Sequence, residues 1–523
     1  MARFTPLARR MIPGPGFASA LLLLGCLAAP RPAAAVDGRD VLGVAHAGGK
    51  YNFTGGDYLN EGADRILDTG SRVIKVFLVH GDSIADLYSF NSDWKPFPTD
   101  AVTLAQKPYF QELFAKPFST FLLVVPAATG SSQFLDGLTA DEAAAESDQT
   151  YRLAKYLLTQ YADSGKTFVI QNWEGDHLLY QGLAKGAQPG PVRVQGMIDW
   201  INARQAGVRR ARQEVGARNV DVVHAAEVNF LGAAMAGDVT MTNNVIPFTH
   251  CDLYSYSSWD LGFTPQALTA ALDYLKAKAP DSDRFGAADV YLGEFGAGKG
   301  AVLPGSQRFP RIRELLEAAL GWGVRYAVYW EIFSNEPTHP YTGRPTNDDL
   351  SGFWLIRPDG VKVPLWNTFG TLAPAGLYRI SLRSFSNQYV SVDPGTHAVS
   401  AKKWLRDGAW EAFTLKDWSS DTPGAPLADG DEVSLQAHDG RYLAVQAHSD
   451  GQVFAPDFSL GTPERFTLHK IGGTGPIAPG DQIALEVHSG RFLGADLQGR
   501  GAIRALRYVP GPAETFEYVA PDR

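Results

Sequence analysis

Between residues 41 and 335, short apolar, β-rich runs alternate with stretches whose apolar residues recur at helical spacing. The runs are Val41–Ala47, Arg72–Val79, Phe118–Val125, Thr167–Trp173, Asp221–Phe230, Phe248–Tyr256, Asp289–Glu294 and Val324–Ile332. Helices between them carry their own start signals. Thr139 followed by Glu142 is a capping box opening a helix through Tyr151, Leu153, Tyr156, Leu157 and Tyr161, which stops near Ser164-Gly165. Thr264-Pro265 sets an N-cap and a first-turn proline before Leu268, Leu272 and Leu275. Ile312, Leu315, Leu316, Ala319 and Leu320 mark another apolar face, ended by Gly321 and Gly323. Strand and helix alternating eight times in about 300 residues predicts an α/β fold of the (β/α)₈ TIM-barrel type. No dinucleotide fingerprint follows the first strand, which weighs against an open doubly wound sheet.

Beyond Ala373-Pro374-Ala375-Gly376 the periodicity changes to short strands and glycine turns. Three units repeat: Ser381-Leu382 to Tyr389-Val390, Ser434-Leu435 to Tyr442-Leu443, and Ala484-Leu485 to Phe492-Leu493. Each closes on a Glu-x-Phe element, at Glu411/Phe413, Glu464/Phe466 and Glu514/Phe516. The leucines are 53 and 50 residues apart and the closing phenylalanines keep those intervals, which predicts an all-β β-trefoil with these positions in its core. The expected organisation is a signal peptide over 1–35, a barrel domain over 36–373 and a trefoil over 374–523.

The amino terminus changes the picture of where the chain works. Arg9 and Arg10 precede an apolar stretch from Phe17 to Ala29, and Ala33-Ala34-Ala35 offers a cleavage site, so export is expected. That stretch is too short for a comfortable membrane span, and no later one is long enough. Leu23-Leu24-Gly25-Cys26 also reads as a lipobox, whose Cys26 would carry a lipid anchor at the outer surface. Only Cys26 and Cys251 exist, and cleavage at Ala35 leaves no pair for a disulfide; Cys251 sits in an apolar-aromatic segment, as a buried core residue does. The net charge of −9 becomes four units more negative once Arg3, Arg9, Arg10 and Arg31 are removed. This acidity argues against nucleic acid as a partner and leaves neutral polymers open.

In a barrel of this kind, reacting groups stand at the carboxyl ends of the strands. Those ends hold His46, His80, Asn172-Trp173-Glu174 with Asp176, Glu227 with Asn229, Tyr254, Tyr256 and Trp259, Glu294, and Trp330-Glu331. Glutamates and aromatics dominate, and no metal-ligand spacing such as HExxH occurs, so no cofactor or metal is implied. Two carboxyls, one to protonate a leaving oxygen and one to attack the anomeric carbon, suit cleavage of a glycosidic bond. Aromatic faces suit sugar rings, and Asn or His suits their hydroxyls.

A glutamate after strand 4, a glutamate on strand 7, a tyrosine on strand 6 and a tryptophan on strand 8 form a layout that resembles clan A of the retaining glycoside hydrolases, which includes family 5. Gly293-Glu294-Phe295-Gly296 is similar to the nucleophile motif of that clan, and Phe353 to Trp366 to the hairpin and aromatic that close such barrels. The resemblance implies Glu294 as nucleophile, Glu174 as acid/base, Tyr256 as hydrogen-bond partner of the nucleophile, and Trp330 as the floor of the cleavage subsite. His46, Asn172, Trp173 and Trp259 complete the expected substrate-binding set, and a polysaccharide or oligosaccharide is the expected partner. Two departures stand out. The clan has Asn directly before the acid/base, whereas Asn172 is two residues ahead of Glu174; its strand-2 arginine has no counterpart, and Lys75 is the nearest cation. Asp439-Gly-Arg-Tyr-Leu443 and Ser489-Gly-Arg-Phe-Leu493 resemble fascin-like trefoils, which implies a carbohydrate-binding appendage.

Rival readings stay open. Glu227 or Glu331 could replace a member of the pair, and Asp176 reads more simply as a helix-start acid. The whole barrel could be a degenerate, non-catalytic glycan binder. Gly293 to Gly300 nearly spells a phosphate-binding loop, but Gly300 stands where a magnesium-binding hydroxyl is needed.

Overall fold

The computed structural model describes residues 36–46, 58–78, 100–125, 127–128, 132–172, 174–259, 264–282, 284–286, 288–296, 305–332, 355–356, 361–372, 376–406, 409–419, 426–446, 451–456, 458, 460–495 and 501–520. Cys26, His80, Trp173 and the segment proposed for export therefore lie outside the described residues.

Eight parallel strands close a barrel: β1 Leu42–His46, β2 Val73–Phe77, β3 Thr120–Val124, β4 Thr167–Gln171, β5 Asp221–Val228, β6 Leu253–Ser258, β7 Val290–Phe295 and β8 Ala327–Tyr329, with β8 pairing back onto β1. The strands are buried on both faces, and most of their residues are apolar. Val73, Leu122, Val169, Val223, Leu253, Tyr291 and Val328 fill the inside. Val44, Val76, Leu123, Ile170 and Val228 pack outward in the main core.

The outer layer is helical: α1 Tyr58–Asp68, α2 Pro108–Ala115, α3 Ala140–Gln160, α4 Gly175–Tyr180, α5 Pro191–Val215, α6 Pro265–Lys278, α7 Gly305–Trp322 and α8 Leu365–Leu372. The expected caps are present. Thr139 accepts from the Glu142 N–H and Glu142 returns the bond to the Thr139 N–H at 2.8 Å, opening α3. Thr264 accepts from the Ala267 N–H at the start of α6. The expected strand at Phe248 starts later, at Leu253, because Ile246–Phe248 is a 3₁₀ turn and Thr249 bonds back to the Ile246 carbonyl. No helix of the described residues is long and apolar enough to cross a membrane.

The carboxy-terminal region is antiparallel and all-β, with twelve strands among the described residues: β9 Gly376–Ser384, β10 Tyr389–Val392, β11 Val399–Lys403, β12 Phe413–Asp417, β13 Glu432–Gln436, β14 Ala444–Val445, β15 Val453–Phe454, β16 Arg465–Ile471, β17 Gln482–Val487, β18 Phe492–Ala495, β19 Ile503–Arg507 and β20 Phe516–Val519; β14 and β15 pair only with each other, and the other ten belong to one sheet. Six of them pair in a ring, β9–β12–β13–β16–β17–β20, which returns to β9. The three sequence units share one register: Arg383 faces Tyr389, Gln436 faces Tyr442, and Glu486 faces Phe492. Leu382, Leu435, Leu485 and Phe413, Phe466, Phe516 all lie in its core. Residues 36 and 37, ahead of the barrel, pair with Leu377 and Gly376 of β9.

A buried polar cluster joins this region to the barrel. Glu317 of α7 pairs with Lys416 of β12 and accepts from Tyr442 and, at 3.2 Å, from Gln436. Thr414 and Arg379 donate to the terminal carbonyls of α7, at Leu320 (3.0 Å) and Gly321 respectively. His438 lies 3.2 Å from Asp273 of α6.

Candidate active site

The carboxyl ends of β2, β5, β6 and β7 converge on a buried lysine. Lys75 occupies a lumen position of β2, fully buried, with its Nζ 2.7 Å from Glu227 Oε1 and 2.7 Å from Glu294 Oε1. Burial alone would push its pKa down, but the two carboxylates reverse this and the net direction is up. Lys75 is therefore a charged centre clamping two acids.

Glu227 is fully committed. Its Oε1 also accepts from Ser257 Oγ at 2.8 Å and Ser255 Oγ at 3.4 Å, and its Oε2 accepts from the Glu174 N–H at 3.3 Å. Four donors, three of them on Oε1, hold this carboxylate in place as an anchor of the site. Asn172 serves it from below the mouth, donating to the Glu227 carbonyl and accepting from the Glu227 N–H, both at 3.0 Å. Asn172 thus ties β4 to β5.

Glu294 is differently held. Strand parity would send it outward, since Leu292 packs in the outer core. A register shift intervenes: Tyr256 pairs with Leu292 while Ser257 pairs with Glu294, leaving Gly293 as an extra residue. Gly293 faces the lumen so closely that a Cβ would collide with Ser255 Oγ and come within 2.7 Å of Glu227 Oε1. The bulge turns Glu294 inward, where its Oε1 meets Lys75 and its Oε2 accepts from Trp259 Nε1 at 3.3 Å. Burial, opposed by Lys75 and reinforced by the charges of Glu227 and Glu174, pushes its carboxyl up to about 7.

Glu174 stands at the rim as the N-cap of α4, with φ 39° and ψ 58°, a left-handed conformation that costs a non-glycine residue on the order of 1–3 kcal/mol. Its side chain does not cap the helix. His177 Nε2 lies 3.7 Å from its Oε2. The local backbone is fixed by Asp176, which accepts from the N–H groups of Asn229, Phe230 and Met241 and is a structural clamp at the helix start, the simpler of the readings its sequence allowed. Gly175 permits this packing, because a Cβ there would meet Met241 and the Glu227 carbonyl.

The aromatic wall is shared by Trp259, over Glu294, and Trp330, half-buried and edge-on to Phe77 at 5.7 Å. Glu331 is buried beside it, and its carbonyl accepts from the Leu355 N–H. Two expectations need correction. His46 turns away from the lumen and is buried against α1, where a Cβ on Gly62 would collide with its ring. Tyr256 sits in the main core on the opposite face of β6 from Ser255 and Ser257, so the strand-6 partners of the acidic cluster are the serines. The signal for Lys75 was present: a lysine inside Val73-Ile74-Lys75-Val76-Phe77 must find carboxylates if it is buried.

No family model matches the chain, and no curated protein matches it. Solved structures similar to it include glycoside hydrolases of families 5 and 39. One is a family 5 enzyme from Streptomyces cattleya, solved in complex with a mannose-β1,4-GlcNAc disaccharide, at 14% identity over 63% of this chain and 79% of that one, TM-score 0.44. A family 39 enzyme from Xanthomonas axonopodis pv. citri matches at 11% identity over 74% and 73%, TM-score 0.44. A monomeric β-xylosidase from Caulobacter crescentus matches at 12% over 86% and 83%, TM-score 0.41. The closed barrel rests on its own strand pairing and not on likenesses of this size.

Proposed function

We infer that this chain is an exported retaining glycoside hydrolase acting on a β-linked polysaccharide or oligosaccharide, with a β-trefoil that tethers it to glycan. The observation that carries the reading is the acidic cluster at the barrel mouth. Glu294 on β7 and Glu174 just beyond β4 interact electrostatically and are backed by the Lys75–Glu227 ion pair.

In this mechanism Glu174 gives its proton to the glycosidic oxygen as the bond to the anomeric carbon breaks. Glu294, ionised and held by Lys75 and Trp259, forms the new bond to that carbon. Glu174, now a carboxylate, takes a proton from water, whose oxygen displaces Glu294 and restores both groups. Poor solvation of Glu294 favours its reaction, and Trp259 and Trp330 offer faces for the sugar ring. The three four-strand units and their shared register support the trefoil reading, and the Arg9-Arg10, Phe17–Ala29 and Ala33–Ala35 segments support export, with a Cys26 lipid anchor as the variant form.

Purified protein incubated with a polysaccharide panel should release new reducing ends. Glu294→Gln and Glu174→Gln should each lower that rate by about 10²-fold or more while thermal unfolding stays cooperative. Near-normal turnover in either variant removes that residue from the pair. Glycan binding with no reducing ends from the parent chain makes the barrel a binding protein.

A further inference from the structure

The three units of the carboxy-terminal region share one register, and the first departs from the other two at two linked points. Each unit closes on a Gly-x-x-Glu turn. In the second, Glu464 Oε2 accepts from the Gly461 N–H at 2.7 Å; in the third, Glu514 Oε2 accepts from the Gly511 N–H at 3.0 Å. In the first, Glu411 is as deeply buried, at 2% exposure, yet its Oε2 accepts no hydrogen bond. A buried acceptor left without a donor is costly, and a charged one more so.

The second departure is on the neighbouring hairpin. In units two and three an arginine follows the hairpin turn and lies over an aromatic ring: Arg441 over Phe458 at 4.9 Å, Arg491 over Tyr508 at 5.2 Å. The first unit has Gln388 in that place. Lys403 pairs with Tyr389 as Arg507 pairs with Phe492, so Trp404 corresponds to Tyr508; Trp404 is 67% exposed.

Glu411 borders a cavity of about 470 Å³, lined also by Ser391, Ser400, Lys402, Trp410 and Gln452 among others. That size suits a small-molecule site. An occupant that donates to Glu411, accepts from Lys402 and offers an apolar face to the half-buried Trp410 would match this lining. A pyranose does all three through its hydroxyls and its C–H face. A simple cation satisfies only the first, and meets Lys402 and Lys403 at the rim.

We propose that the first unit carries a glycan-binding site in this cavity, with Glu411 as its hydrogen-bond acceptor and Trp410 as its apolar wall. The choice of a β-linked polymer as the source of the sugar rests on the hydrolase reading above; the cavity and its unpartnered oxygen do not.

The test uses the full-length chain bearing Glu294→Gln, titrated calorimetrically with cellohexaose, xylohexaose and mannohexaose. Two sites are expected on at least one of them. Adding Glu411→Gln, or Ser400→Trp to fill the cavity from its side, should weaken one site tenfold or more and leave the other unchanged. In the active chain the same two changes should leave hydrolysis of a short soluble substrate unaltered. A chain that hydrolyses nothing but keeps a Glu411-dependent site sinks the enzymatic reading alone. A single site, no binding, or two sites indifferent to both substitutions overturns the cavity proposal.

Discussion

Glu294 sits where one lysine must serve two carboxylates, and a third acid, Glu174, adds its charge from the rim. A carboxyl pushed up to about 7 has to be ionised to act as nucleophile, so kcat/KM should fall as pH drops through about 7; a pH profile flat down to pH 5 contradicts that role. The same group shapes stability. Its raised pKa means that the native state holds a proton the unfolded chain releases near its ordinary value of 4.5. The stability it contributes is complete below 4.5 and is lost as pH rises through about 7. Denaturant titrations of Glu294→Gln should show that slope removed over this window.

At the scale of elements, the β7 bulge decides whether Glu294 faces the lumen or the helices. Gly293→Ala would push into Ser255 and Glu227; it should cost about 1–3 kcal/mol in denaturant unfolding and at least tenfold in turnover, and an unchanged rate would dismiss the bulge as incidental. Such a feature is hard to read in sequence. Strands covered on both faces carry apolar residues on either side, so nothing in Val290-Tyr291-Leu292-Gly293-Glu294 marks which side each residue takes. The same blindness placed His46 and Tyr256 at the mouth, although each is buried in the outer packing. What could be read were signals with local chemistry: the Thr139–Glu142 box, the Thr264-Pro265 cap and the eight β-rich runs. Glu174 could be placed near the mouth from its position just beyond β4, but its left-handed backbone could not.

Across the whole molecule, the threefold interval of leucines and phenylalanines was legible because repetition compares the chain with itself. The connection between the two regions was not legible, since Glu317 and Lys416 are 99 residues apart and each looks like a surface charge on its own. Both are fully buried. Lys416→Met should therefore strand the Glu317 carboxylate and destabilise the chain by about 3–5 kcal/mol, read as a drop in the denaturant midpoint. The double change with Glu317→Leu should recover much of that loss; an equally destabilised double variant would deny the pairing its role.

In the proposed reaction Glu294 forms a bond to sugar. The most direct measurement is peptide mass mapping after inactivation with activated 2-deoxy-2-fluoro glucosides, xylosides and mannosides. One added glycosyl mass is expected on the peptide containing Glu294, absent in Glu294→Gln. A label on Glu227 or Glu331, or turnover that yields the inverted anomer with no labelled peptide, contradicts it.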